Sequence, residues 1–114
     1  MRYTKYEKLY RCVMIGAIKH CLFGLEFSDT KQPQVDFIIH HHNVGKPEIT
    51  DSNDVLMQVM NAVQEKEQEY QQLFYVKTIE FVDNDIIPHS DVYYDYTKKI
   101  IDRIIGFPEY ESEG

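Results

Sequence analysis

Three consecutive histidines, His40, His41 and His42, are the densest concentration of potential chemistry in this 114-residue chain. They close the run Val-Asp-Phe-Ile-Ile-His-His-His (residues 35–42), whose alternation and β-branched content predict a strand. On a strand successive side chains point to opposite faces. His40 and His42 then share a face with Asp36 and Ile38, while His41 joins Val35, Phe37 and Ile39. That arrangement offers an imidazole–imidazole–carboxylate set, His40, His42 and Asp36, to a metal ion. Zinc takes three or four such ligands, and His20, His89, Cys12 or Cys21 would have to complete it. The spacing matches no established metal motif, so the preferred reading is a polar strand end whose histidines meet solvent or hydrogen-bond partners. Imidazoles that titrate near neutrality also supply the raw material of a pH response.

Other chemistry is thinner. Cys21 follows His20, but adjacent residues on a helix point about 100° apart, so no nucleophile–base pair is preformed. Gly45-Lys46 lacks the upstream glycine and the following hydroxyl of a phosphate-binding loop. Asp83-Asn84-Asp85 starts like a calcium loop but lacks its phase and its closing glutamate. No cofactor is expected.

Charge and aromatic content point instead to binding. Residues 1–50 carry seven Lys/Arg against five Asp/Glu, whereas residues 51–114 carry five against fourteen. An acidic second half argues against nucleic acid, which is held through Lys/Arg contacts to phosphate, and suits a basic protein partner. Nine tyrosines with no tryptophan is a high count for this length. Tyr94 lies between Asp91 and Asp95, and tyrosine is favoured as an interface anchor. Tyr94, Asp91, Asp95, Asp83 and Asp85 therefore form the expected partner-binding set.

The elements that must position these residues follow from periodicity. Thr4-Lys5-Tyr6-Glu7 has the form of a capping box. Tyr6, Leu9, Tyr10, Val13, Ala17, Cys21 and Leu22 then recur at helical spacing, which predicts a helix over 4–23 ended by Gly24. The rival is a hairpin of residues 9–15 and 17–27 turning near Gly16. On such a helix Cys12 and Cys21 stand about 13–14 Å apart, beyond the reach of a disulfide, which fits free thiols in a reducing compartment. A second helix over 54–73 has the stripe Val55, Leu56, Val59, Met60, Val63, Tyr70 and Leu73, capped from Asp51-Ser52-Asn53. Residues 74–82 read as a strand. A third helix starts at Ser90 or Asp91 and runs to Ile104, where Gly106 and Pro108 end it.

The expected fold is α+β, or small α/β, in the order α-β-α-β-α, with a short sheet of two to four strands covered by three helices. Residues 1–108 form one domain and residues 109–114 an acidic frayed tail. If the two strands are parallel neighbours, the 54–73 helix is their crossover. The apolar run 13–22 is broken by Lys19 and His20 and resembles neither a membrane span nor a signal peptide, so a cytoplasmic protein is expected, with no membrane partner. The functional expectation is a small acidic, non-enzymatic interaction domain of the inhibitor, immunity or adaptor type, as encoded by phages or mobile elements, binding a basic protein and able to homodimerise. The alternative is a metal- or His-dependent enzyme or sensor centred on His40 and His42.

Overall fold

The computed structural model describes residues 2–15, 20–41, 51–83, 90–106 and 111–112. Strands β1 (Arg2–Tyr6), β2 (Leu9–Ile15), β3 (His20–Ser28) and β4 (Asp36–His41) precede helix α1 (Ser52–Tyr70), strand β5 (Tyr75–Asp83), helix α2 (Val92–Gly106) and the two-residue strand β6 (Glu111–Ser112). The strands form one mixed sheet in the order β4-β5-β3-β2-β1-β6. The expected order α-β-α-β-α with three helices is therefore wrong: among the described residues there are two helices, and the sheet is larger than four strands.

Most of the error lies in the first third; in addition, Glu111–Ser112 of the expected frayed tail pair with β1 as β6. In place of a helix over 4–23, β1 and β2 form an antiparallel hairpin in which Tyr6 pairs with Leu9 and the turn is Glu7-Lys8. Glu7 has φ 54°, left-handed backbone that a hairpin turn requires and that glutamate seldom adopts. The apparent capping box is thus the end of one strand and the corner of a turn. β2 and β3 pair antiparallel, Tyr10 with Leu25 through Ile15 with His20, so the rival hairpin is the one formed; its turn at Gly16 lies outside the described residues. With the helix goes the distance argument for the cysteines. Cys12 is buried on β2.

The remaining elements stand close to their expected places. β4 and β5 are parallel neighbours, and α1 is the connection between them. Asp51 caps α1, its carboxylate accepting from the Asn53 amide at 2.9 Å, and Gln71 ends it in the left-handed region with φ 53°. Asp51→Ala should cost about 1 kcal/mol of stability in urea denaturation, the usual loss for an N-cap. No described helix is long and apolar enough to cross a membrane.

Both helices lie on one face of the sheet. Val55, Val59 and Val63 of α1 and Val92, Tyr93, Tyr96, Ile100 and Ile101 of α2 form one core with Cys12, Phe23, Leu25, Ile79 and Phe81 of the strands. Tyr93 and Tyr96 are interior rings, 5.7 and 6.0 Å from Phe23, and Tyr93 is 6.1 Å from Phe81. Between Glu26 and Phe27 the β3–β5 register shifts, so that Glu26 pairs with Thr78 and Phe27 with Val76. Lys77 is the extra residue of this bulge. The shift turns Val76 into the core beside Ile79, which strict alternation along β5 would not have done.

Candidate functional site

On the sheet face away from the helices, one row of paired residues crosses four strands: Arg11 opposite Gly24, Gly24 opposite Glu80, and Glu80 opposite Ile38. Directly opposed residues share a face, so Arg11 and Glu80 reach toward each other across β3. There they meet no side chain, because the residue between them is glycine. Arg11 donates from Nε to Glu80 Oε1 and from a terminal guanidinium nitrogen to Oε2, both at 2.7 Å. This two-pronged geometry is the strongest that arginine and a carboxylate make. His40, two residues beyond Ile38 on the same face, places Nε2 2.9 Å from Oε2 of the same carboxylate. The Arg11 guanidinium also lies 4.7 Å above the Tyr6 ring.

Glu80 is 1% exposed, beneath a His40 side chain that is 45% exposed. Burial by itself pushes the Glu80 carboxyl up, but the hydrogen bonds from Arg11 and His40 outweigh it and hold it below the ordinary carboxylate range. The result is a buried, ionised carboxylate whose two oxygens are taken up by a guanidinium and an imidazole. Chemically it can fix the orientation of the His40 ring. It offers no nucleophile.

His40 is the one member of the expected metal set drawn into this cluster. Asp36 is exposed on the same face of β4, four residues and roughly 13 Å along the strand at 3.3 Å per residue. His42 lies outside the described residues. Among those described, no group of three His, Cys, Asp or Glu side chains is placed to hold a metal ion. The His20–Cys21 pair falls on β3, with side chains beyond the described set. Arg11, Gly24 and Glu80 were not singled out from sequence. A lone glutamate inside the apolar alternation of β5 was the available signal.

Three of the expected partner-binding residues, Asp91, Tyr94 and Asp95, lie elsewhere, at the start of α2 where the helices adjoin. Gln58 of α1 fastens the start of α2: its side-chain oxygen accepts from the Tyr93 and Tyr94 amides at 3.1 and 3.2 Å, and its nitrogen donates to the Ser90 carbonyl at 2.9 Å and to Asp54 at 3.0 Å. One glutamine thus does for α2 what a capping residue usually does. Tyr94 donates its hydroxyl to Glu65, which raises its pKa, and the Lys98 ammonium lies 4.6 Å from its ring centre. Asp91 is exposed and Asp95 half-buried in the first turn region of α2. Asp83 is buried at the end of β5, and Asp85 lies outside the described residues.

A further ionic group ties the two helices together. Lys66 of α1 donates to Glu69 at 2.6 Å and pairs with Asp102 of α2 at 2.7 Å, while the Tyr70 hydroxyl donates to Asp102 at 2.6 Å. Burial disfavours the charged lysine, but its two carboxylates outweigh that and raise its pKa. Away from both charged clusters, a cleft of about 320 Å³ is lined by Lys31, Gln32, Met60, Glu67, Phe74 and Tyr75, among others. Comparison with protein-family models, with curated proteins and with solved structures finds no match for this chain.

Proposed function

We propose that this chain acts by binding: it is a small acidic interaction domain, of inhibitor, immunity or adaptor type, whose α1–α2 layer engages a basic protein in the cytoplasm. The observation that carries the reading is the segregation of charge. The described helical segments, 51–70 and 90–106, hold eight carboxylates against four Lys/Arg, whereas the described sheet and its loops are nearly balanced, with seven carboxylates against six Lys/Arg. Met57, 65% exposed, and the exposed Met60 lie on the same helix as Asp54 and Glu65. An apolar anchor bordered by carboxylates suits a basic surface with a hydrophobic centre. The same carboxylates repel nucleic-acid phosphates and anionic lipid.

Charge reversal tests this. Capture from lysate of the producing cell, with wild type and with Asp54→Lys/Glu65→Lys/Asp91→Lys, should retain a basic protein on wild type at low salt. The variant should lose it, and high salt should release it. Equal capture by both proteins would remove the reading.

The His40–Glu80 contact favours a second reading, in which an imidazole held by a buried carboxylate serves as a proton-transfer group or pH sensor. Here the readout is partner affinity in wild type and in His40→Ala: a loss of affinity in the variant supports this reading, and equal affinity would remove it.

A further inference from the structure

We infer that a second copy of this chain pairs with the outer edge of β4, antiparallel and centred on Ile38, joining two sheets into one. Among the described residues β4 has β5 on one side and no strand on the other. Its sequence, Asp-Phe-Ile-Ile-His-His, contains no proline, lysine or glycine, and its pairing with β5 runs without a register shift. Proline, lysine and a register-shifting bulge are among the devices that keep an edge from pairing; Asp36 is the single charged residue on this strand other than its histidines. Ile38 and Ile39, pointing to opposite faces, are 39% and 40% exposed.

Symmetry restricts the registers. Two copies related by a two-fold axis along the sheet normal keep their helix layers on the same side. Because directly opposed residues share a face, the axis must then pass through a residue rather than between two. Centring on Phe37 sets Asp36 against Ile38, and centring on Ile39 sets Ile38 against His40. Centring on Ile38 sets Asp36 against His40 of the second copy, Ile38 against itself, and Phe37 against Ile39. It alone of the three pairs acid with imidazole and apolar with apolar on both faces. The occupant that fits this edge is therefore the edge itself. His40, with Nε2 on Glu80, would carry its second ring nitrogen toward Asp36 of the second copy, so the buried carboxylate orients an interface residue. The surface is separate from the α1–α2 layer and leaves that layer free.

Sedimentation or light scattering at tens of micromolar should give twice the 13.6 kDa chain mass. Ile38→Lys places two ammonium groups against each other across the axis and should weaken association about a hundred-fold or more, with the circular dichroism spectrum of wild type. Mild oxidation should cross-link Ile38→Cys into a covalent dimer, because the two thiols are directly opposed. Ile39→Cys, whose thiols would be two positions out of register, should cross-link no faster than wild type. A monomeric wild type, a dimeric Ile38→Lys, or equal cross-linking of the two cysteine variants would each overturn the inference.

Discussion

Arg11→Met is expected to destabilise the fold by about 3–5 kcal/mol, the range for removing one partner of a buried ion pair. The loss is not that of one surface salt bridge. Glu80 is almost fully enclosed, and Arg11 makes both of the short guanidinium contacts to its carboxylate. Without Arg11 the carboxylate keeps only His40, and burial then works against its charge. Arg11→Met combined with Glu80→Leu should recover most of the loss, since two apolar residues of similar volume remove the desolvation cost along with the attraction. Urea denaturation of the wild type, both single variants and the double variant gives the coupling directly. Acid should report the same pair. Glu80 is depressed below its ordinary value of 4.5 in the fold, so its pairing contributes full stability above that value. The contribution is lost as pH falls through the lower folded-state pKa. In Arg11→Met the depression goes, and acid unfolding should move to higher pH. An unchanged acid midpoint would show that Glu80 does not govern it.

The parts of this fold that could be read in the sequence are those whose two periodicities do not compete. The 54–73 stripe returns as α1 and the helix from Ser90 or Asp91 as α2, each bounded by residues with one structural preference: Asp51 at the start of α1, Gly106 at the end of α2. β5 was visible because Ile79 and Phe81 alternate with Thr78 and Glu80, and β4 because its aromatic and β-branched run Phe37-Ile38-Ile39 is bounded by Asp36 and the histidines. The first third failed for a physical reason. Tyr6, Leu9, Tyr10 and Val13 satisfy a helical stripe and equally a hairpin whose strands are apolar on both faces. The turn that separates the two readings is Glu7-Lys8, which has none of the Asn-Gly or Asp-Gly chemistry that marks hairpins. The charged cluster was hidden by the same error. Arg11 and Glu80 stand 69 residues apart and meet only once β2, β3 and β5 are in register. His40 could be picked out by its type, but its partner could not.

Gly24 is where that register can be tested most sharply. A Cβ built there would lie 2.7 Å from Glu80 Oε1 and 3.2 Å from Arg11 Cγ. The first distance is below any real Cβ contact, and the carboxylate has no direction in which to yield, since Arg11 holds its Oε1 and both Arg11 and His40 hold its Oε2. Gly24→Val should therefore cost about 3 kcal/mol, the upper end for overpacking, although valine favours strands over glycine by intrinsic preference. In an isolated strand the substitution would be stabilising, so the sign of the effect separates the two causes. The Arg11 Nε–H resonance should move upfield toward that of a free guanidinium as its bond to Oε1 breaks. In a Glu80→Ala background, where the obstructing oxygen is gone, Gly24→Val should cost distinctly less than in wild type. That non-additivity is the signature of two side chains competing for one space. Additive costs would mean that valine is rejected by something other than the carboxylate, and that the open position on β3 is not what allows Arg11 and Glu80 to meet.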